Sequence, residues 1–372
     1  MSEHGAFLSA ILEQPDDDLP RLVYADYLDE TNDPDRAEFI RVQIELATLD
    51  ADDPRSDRLE RRAQELQKDR VEWRLPIRGI QRFHRGFVES MATTAEWLIG
   101  AEQPVLRLAP IRELRVINAD NFISDFANVP GLDRIESLDL RNNSFGTRDR
   151  LARFLELAPL RKMIRLLLMN NQLWSDDIEV LVASERAAQL RSLDLSGNAI
   201  GNAGVAVLAR AENLSGLRTL VLRSDELEWR DRILSEGVET LARSQTLNEL
   251  LTLDLSSHLI GEDGITALAN ATGLQKLERI GASFNRLGTG DDPDFNAFLN
   301  ATVREQIQVW NLAGSTISGR AAEGFAVWEQ LETLTELNLE QCEWAAGARE
   351  LLADCPWADK IRLGDPVSGE QA

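Results

Sequence analysis

The most regular feature of the sequence is an alternation of apolar and polar positions that recurs from about residue 110 onward. In Leu190-Arg-Ser-Leu-Asp-Leu-Ser-Gly-Asn-Ala-Ile-Gly201 the pattern is Leu-x-x-Leu-x-Leu-x-x-Asn-x-Ile. Eight segments share this frame, and the position of the asparagine falls at spacings of 28, 27, 27, 33, 27, 30 and 27 residues. That position is occupied by Asn143, Asn171, Asn198, Asp225, His258, Asn285, Ser315 and Cys342. Because alternate residues of a strand point to opposite sides, each Leu-x-Leu predicts a short strand with one buried side.

A single strand of this kind cannot bury its own apolar side, so the repeats are expected to stack and to share one core. The asparagine is expected to turn the chain and to bond backbone groups of adjacent turns. A period of 27 or 28 residues leaves room for a helix after each turn, as in segments 202–212 and 263–270.

These segments resemble the ribonuclease-inhibitor-like subclass of leucine-rich repeats over roughly residues 105–365. The resemblance implies an α/β leucine-rich-repeat solenoid, a horseshoe with parallel strands on its inner face and helices outside. We expect nine to ten repeats, with poorer copies at 111–116 and 358–363, the array being closed by a strand within 357–363.

Three or four helices are predicted before the repeats, so the solenoid is expected to follow a small all-α domain. They cover 7–14, a second helix after Asp16–Asp18, a third from Asp33-Pro34 and a charged fourth from about 55 to 73. Acidic residues before the second helix and Pro20 in its first turn are typical of helix starts. Helical spacing predicts that the inner side of the second helix consists of Leu19, Leu22, Val23, Tyr27 and Leu28.

The segments 7–12, 15–18, 21–30 and 35–43 resemble a small bacterial repeat-companion domain that precedes leucine-rich and other repeats. The match covers about forty residues, and the resemblance assigns no biochemical role. Segments 85–90 and 93–102 resemble the half-repeat that joins this companion to its array. The predicted domains are therefore residues 1–75, a joining half-repeat at 76–110 and the solenoid at 111–372, in a bacterial protein.

Asp26 is predicted to lie beside Leu22, Val23 and Tyr27 and therefore to be buried. A buried carboxylate needs a partner, which Arg41 or Arg36 of the next helix could supply. The alternative is that Asp26 and the tyrosines form a ligand site.

The formal charge of −23 over 372 residues argues against binding to nucleic acid or an anionic membrane surface, both of which are densely negative. The first eighteen residues show no secretory signal, and no stretch has the length of apolar residues that a membrane span needs. Only two cysteines occur, which indicates a reducing compartment. We expect a cytoplasmic monomer.

No motif for catalysis, for a cofactor or for a metal is visible, so we expect no enzyme activity and no cofactor. His4 and His84 are isolated, whereas His258 and Cys342 occupy the asparagine position and are expected to be turn residues. The segment 288–295 contains Asp291, Asp292 and Asp294, which could hold calcium. The alternative, an extended turn that caps the next helix, is favoured.

The strand residues that point away from the core are predicted to form the binding surface. Their charged members are six arginines and six acids, so this face is neutral although the chain is acidic. They are Arg115, Arg141, Arg165, Arg223, Arg279 and Arg362 against Glu113, Asp139, Asp194, Asp254, Glu336 and Glu340. Since four of the arginines precede residue 224, the first half of the face is expected to be mildly positive and to favour an acidic or mixed partner. The alternative is that these charges only keep the face soluble.

Two repeats are longer than the others, and both extra segments follow the asparagine turn, on one predicted rim. One contains Trp229, Arg230 and Arg232, and the other contains Asp291 and Asp292. Because tryptophan and arginine dominate binding hot spots, Trp229 is a candidate anchor, unless it packs against its own helix.

The function predicted from the sequence is non-catalytic protein–protein recognition, as a scaffold or adaptor. One alternative is an inhibitor of a basic enzyme, by analogy with the acidic ribonuclease inhibitor. A third hypothesis, from another class, is an enzyme or ligand sensor in the helical N-terminal domain.

Overall fold

The computed structural model describes residues 3–50, 52–224, 231–285, 307–328 and 332–364. The chain divides into two compact units. Unit 1 comprises Met1–Leu140 and Leu157–Met163, and unit 2 comprises Arg141–Glu156 and Ile164–Ala372.

Unit 1 begins with four helices and continues with strands. Its elements are α1 Glu3–Glu13, α2 Leu19–Glu30, α3 Pro34–Thr48, α4 Ser56–Gln67, β1 Ile80–His84, β2 Phe87–Thr94, α5 Ala95–Ile99, β3 Glu113–Ile117, α6 Ile123–Phe126 and β4 Ser137–Asp139. Strands β1 and β2 form an antiparallel hairpin, and β2, β3 and β4 pair in parallel in that order. The predicted N-terminal helices are present, although α4 ends six residues earlier than expected.

The helix starts in unit 1 use the predicted acidic residues and prolines. Asp17 Oδ1 accepts a hydrogen bond from the Leu19 backbone N at 2.9 Å, and Asp33 Oδ1 accepts from the Arg36 backbone N at 3.3 Å. Both α2 and α3 carry proline in the first turn, where its missing N–H costs little.

The prediction for the inner side of α2 was wrong for Leu19 and Val23, whereas Leu28 is buried as predicted and Leu22 and Tyr27 are half-buried. Leu19 and Val23 are 63% and 45% exposed, whereas the buried residues of α2 are Arg21, Tyr24, Ala25 and Leu28. The physical reason is that Arg21, a charged residue, is fully buried and paired with Glu89 inside the unit.

Unit 2 repeats strand, turn and helix. Its elements are α7 Arg148–Leu155, β5 Arg165–Leu167, α8 Ser175–Ala183, β6 Ser192–Asp194, α9 Gly201–Leu208, β7 Thr219–Val221, α10 Ser235–Ala242, β8 Thr252–Asp254, α11 Gly261–Ala269, β9 Arg279–Gly281, β10 Val309–Asn311, β11 Thr316–Ile317, α12 Gly319–Ala326, β12 Glu336–Asn338, β13 Glu343–Trp344, α13 Ala348–Ala353 and β14 Ile361–Arg362. Strands β5 to β10, β12 and β14 are neighbours in that order, and β11 pairs with β13. The fold is an α/β leucine-rich-repeat solenoid, as the sequence predicted.

The strands of unit 2 are paired in register, so that equivalent residues of successive repeats lie side by side. Each strand contributes one central apolar residue to a continuous buried row, Leu166, Leu193, Leu220, Leu253, Ile280, Trp310, Leu337 and Ile361. The second leucine of the motif extends the backbone hydrogen bonding between neighbouring strands. Leu195, Leu222 and Leu255 are buried, and their backbone N–H groups donate to the next strand at 2.7–2.8 Å.

The asparagine of the motif joins adjacent turns, as predicted. Asn198 is 3% exposed, and its Oδ1 accepts from the backbone N of Asn171 and of Leu173 in the preceding turn, at 2.9 and 3.1 Å. Its Nδ2 donates to the carbonyl oxygens of Leu168 and Leu195, both at 2.8 Å. One side chain thus satisfies four backbone groups in the interior.

His258 makes the equivalents of two of these four bonds with its imidazole ring. Its Nδ1 accepts from the Ile233 backbone N at 3.1 Å, and its Nε2 donates to the Leu222 carbonyl oxygen. Cys342, at the same position of a later repeat, has its Sγ 3.6 Å from the Leu312 carbonyl oxygen. Burial raises the pKa of the Cys342 thiol to about 11, so the thiol stays protonated. The prediction that both are turn residues is confirmed.

We expect Asn198→Ala to lower the free energy of unfolding by about 3 kcal/mol, because it leaves several buried backbone groups without partners. Urea unfolding followed by circular dichroism measures the change. The matched control is Asn213→Ala, since Asn213 is exposed and its Nδ2 makes one inter-repeat bond, to the Val182 carbonyl oxygen at 2.9 Å. Equal effects of the two substitutions would contradict the role given to Asn198.

We expect His258 to make the stability of unit 2 depend on pH. Burial lowers the pKa of His258 from 6.5 to about 4, with the charge of Arg232 acting in the same direction, whereas the Leu222 carbonyl bond and Asp254 oppose it. Between pH 6.5 and about 4 the unfolded chain binds a proton that the folded chain does not. Stability therefore falls as the pH falls through this window, by about 3 kcal/mol at 1.4 kcal/mol per pH unit.

The matched variant is His258→Asn, which restores the usual side chain of this turn and has no titrating group. Urea midpoints of the two proteins, measured from pH 7.5 to pH 4.5, are expected to diverge progressively below pH 6.5, with the variant less sensitive. Parallel curves would show that His258 does not titrate on unfolding.

Candidate functional site

The candidate site in unit 2 is the strand face, which we define as the side chains that point away from the core on β5 to β10, β12 and β14, together with Arg223 and Glu340, which lie two positions after β7 and β12. Its exposed charged members include Arg165, Arg223, Arg279 and Arg362. Small polar residues such as Ser192, Thr219 and Thr252 lie between them at the first strand position.

The aspartates of the strand face are held by the turns that follow them. Asp194 Oδ1 accepts from the backbone N and the Oγ of Ser196, at 2.9 and 2.6 Å. Asp254 makes the same pair of bonds with Ser256, at 3.0 and 2.6 Å. These carboxylates are therefore engaged as local caps, which side-chain oxygens of aspartate often form.

The arginines stand further out than the acids with which they pair. Arg223 Nε lies 3.7 Å from Asp254 Oδ2, and Arg362 Nη2 lies 3.1 Å from Glu336 Oε2. The arginine side chains are 57% and 60% exposed, whereas the acids are 25% and 26% exposed. The charges of the strand face therefore form two layers, with the guanidinium groups outside.

The same layering is present on β3 of unit 1. Arg115 Nε lies 3.9 Å from Asp139 Oδ2, and the two side chains are 38% and 16% exposed. The sequence count of six arginines and six acids described a neutral face. What the sequence did not show is that the exposed charges of the strand face in unit 2 are arginines, whereas the acids of that face are half-buried; in unit 1, Glu113 is exposed.

The structure brings only some of the predicted partner-binding residues together on one surface. Arg165 and Arg223 belong to the strand face of unit 2, and Arg115 belongs to unit 1. Arg141, at the start of unit 2, is half-buried. Arg232, expected on the rim, is half-buried and donates from Nη1 to the Ser257 carbonyl oxygen at 2.7 Å. The remaining predicted residues, Trp229, Arg230, Asp291 and Asp292, lie outside the described residues.

Asp26 differs from its prediction in one respect. Its side chain is 73% exposed, not buried, because α2 is rotated from the expected phase. Its partner is Arg41, as expected, with Nη2 of Arg41 2.7 Å from both Asp26 Oδ1 and Asp29 Oδ2. A cavity of about 450 Å³ does open beside Tyr24, but Asp26 does not line it.

A buried cluster of charges in unit 1 escaped the sequence analysis. Arg21, which is fully buried, donates from Nη2 to Glu89 Oε1 at 2.7 Å. Glu89 Oε2 lies 3.3 Å from His84 Nδ1, and Glu89 Oε1 accepts a hydrogen bond from Arg85 Nη2 at 3.4 Å. Burial works against ionisation of Glu89, but the His84 bond and the charges of Arg85 and Arg21 together hold its pKa below the ordinary value. The cluster joins α2 to β2, and nothing local in the sequence connects residues 68 positions apart.

The buried pair is expected to matter to stability, since breaking one partner of a buried ion pair leaves the other uncompensated. Glu89→Gln should lower the free energy of unfolding by about 3 kcal/mol. The matched control is Asp26→Asn, which alters an exposed pair and should leave the urea midpoint unchanged. If both substitutions are neutral, Arg21 does not depend on Glu89.

The stacked strands and turns define the class of protein. A family model described as Leucine Rich repeat matches residues 189–209, the segment that contains β6, the Asn198 turn and α9. Together with the in-register parallel strands, this match supports a leucine-rich-repeat fold for unit 2.

Two solved structures are similar to this chain. An internalin (InlF) from Listeria monocytogenes str. 4b F2365 is 19% identical, with 69% of this chain and 68% of that chain covered and a TM-score of 0.42. TLR13, solved in a TLR13–ssRNA13 complex, is 23% identical, with 66% of this chain and 34% of that chain covered and a TM-score of 0.40. A search of the curated proteins found no significant match.

Two further observations concern the described ranges alone. None of their helices combines the length and the apolar composition needed to cross a bilayer. In the same ranges, His, Cys, Asp and Glu side chains form no group of three or more that could hold a metal ion.

Proposed function

We propose that this chain is a non-catalytic protein-recognition module that binds a partner through the strand face of unit 2. The observation that carries the proposal is the layered charge of that face, in which arginines project beyond carboxylates that are already engaged in turns and pairs. Solenoids act mainly through the extended surface that their stacked repeats create.

The chemistry of this face favours a partner surface that carries carboxylates. Arginine binds carboxylates through two parallel hydrogen bonds and is enriched at binding hot spots. Nucleic acid also carries anionic groups, but a chain with a formal charge of −23 is poorly suited to a polyanion of such high charge density. We therefore propose a protein partner with an acidic or mixed surface.

The segments of the two longer repeats are proposed as a second contact region, with Trp229 and Arg230 as anchors and Asp291 and Asp292 as polar contacts. Tryptophan and arginine are suited to this role because they bury large areas and retain a polar group. The inhibitor hypothesis is disfavoured, since an outer layer of guanidinium groups would repel a basic enzyme.

The experiment is affinity capture from the host, followed by direct binding measurements with each captured protein. Arg165→Glu combined with Arg223→Glu is expected to raise the Kd about 100-fold, since arginine hot spots contribute about 1–2 kcal/mol each. The matched control is Arg243→Glu, which reverses an arginine that follows α10 and is 72% exposed. Trp229→Ala, in the same assay, tests the second contact region.

The strand face is the wrong surface if the double variant binds as tightly as the wild type. It is also the wrong surface if Arg243→Glu weakens binding to the same extent, because the effect would then reflect net charge alone.

A further inference from the structure

Unit 1 contains a cavity of about 450 Å³ that the proposed protein recognition does not use. It is lined by residues of α1, α2, α3 and β2, together with the segments around Trp73 and Leu108. The volume lies within the range of small-molecule sites, and much of the wall is apolar, with Leu8, Phe87 and Val88 among the lining residues.

One wall of the cavity is formed by Arg36, a buried cation. Its residue is 8% exposed, and its Nη2 donates to the Gly86 carbonyl oxygen at 2.6 Å. Its Nη1 is buried and has no hydrogen-bond partner among the described residues. Burial lowers the pKa of Arg36 to about 10, so the guanidinium keeps its charge at neutral pH.

Aromatic rings surround this guanidinium. The Arg36 Cζ atom lies 4.7 Å from the centroid of Trp73, 5.4 Å from those of Phe39 and Phe87, and 5.7 Å from that of Phe83. Ring faces attract a cation and offset part of the cost of burying it, but they do not accept the hydrogen bonds that its N–H groups make in water.

The nearby carboxylates are occupied elsewhere. Asp33 caps α3 by accepting from the Arg36 backbone N, and Glu72 lies 3.6 Å from Arg70 Nη1. Among the described residues no carboxylate pairs with the Arg36 side chain, so an anion from outside the chain would be its first ion pair. Arg74 adds a second positive charge to the lining.

A polar group lies at another part of the wall. Tyr24 Oη and His4 Nδ1 are 2.7 Å apart, and burial raises the pKa of Tyr24, so that its hydroxyl remains protonated. His4 is exposed. The cavity therefore offers a cation, a hydroxyl and an apolar wall, which match an anionic group on an apolar body.

We infer that unit 1 binds a small organic carboxylate, whose charged group engages Arg36 and whose apolar body lies against the Leu8, Phe87 and Val88 wall. The ligand is a carboxylate and not a phosphate ester because Asp33 and Glu72 also line the cavity, and they would repel a doubly charged group more strongly than a singly charged one. This site is independent of the strand face, so either proposal can fail alone.

The test uses the full chain and two matched pairs of probes, benzoate with benzamide and indole-3-acetate with indole-3-acetamide. Ligand-observed NMR and calorimetry are expected to give a Kd of about 1 mM or tighter for the carboxylates. Each amide should bind at least tenfold more weakly, because it lacks the charge. Inorganic phosphate, which has no apolar body, should also bind at least tenfold more weakly than either carboxylate.

Three variants locate the site. Arg36→Gln should abolish the preference for carboxylate over amide, and Leu108→Trp, which fills the cavity, should abolish binding of both probes. The matched control is Arg41→Gln on the exposed side of the same helix, which should bind like the wild type. If Arg36→Gln does not fold, Leu108→Trp still decides whether the probes occupy this cavity.

Several results would overturn the inference. The role of Arg36 would be excluded if neither carboxylate bound, or if each amide bound as tightly as its carboxylate. If phosphate bound as tightly as the carboxylates, the apolar body of the ligand would not contribute to binding. Undiminished binding by Leu108→Trp would place the probes elsewhere on the chain.

Discussion

The structure of unit 2 depends on one constraint: the buried backbone N–H and C=O groups at each turn of the coil must form hydrogen bonds within the protein, without water. The strands are only two or three residues long, so the ladder alone leaves polar groups at every turn. Asn198 supplies both an acceptor and a donor at that point, and it reaches two turns at once. The interaction fixes the register between neighbouring repeats, and the buried row of central residues follows from that register.

The same constraint explains which side chains can replace asparagine at its position in the motif. The imidazole of His258 places an acceptor and a donor on opposite sides of a ring, so it replaces an amide in both functions. Ser315 donates from Oγ to the Leu312 carbonyl oxygen at 2.6 Å and keeps the donor function. The chemistry of the position, and not the identity of asparagine, is what the repeat requires.

The repeats of unit 2 were predictable from the sequence because every determinant is local. Leu193, Leu195 and Asn198 lie within six residues, and the next repeat supplies the same set. In unit 1 the helices were predictable, and so were the strands β3 and β4, which belong to repeat segments of the sequence. The phase of α2 depends on the burial of Arg21, whose partner Glu89 lies 68 positions away, and no helical periodicity carries that information. The buried Arg36 has the same origin, since its surroundings combine Trp73, Phe83 and Phe87 from distant segments.

On the strand face, the net charge counted from the sequence differs from the charge that is exposed to solvent. Aspartate is short, and at Asp194 and Asp254 the following serine holds it against the backbone, whereas arginine extends past it into solvent. A neutral set of charges therefore presents an outer positive layer. This layer acts over short distances, because salt screens exposed charges beyond about 8 Å at physiological ionic strength. Salt screens the formal charge of −23 in the same way, so at a distance it adds only a weak repulsion of the proposed acidic partner. Recognition at such a face is governed by contact, so its selectivity lies in the placement of arginines relative to partner carboxylates and not in long-range attraction.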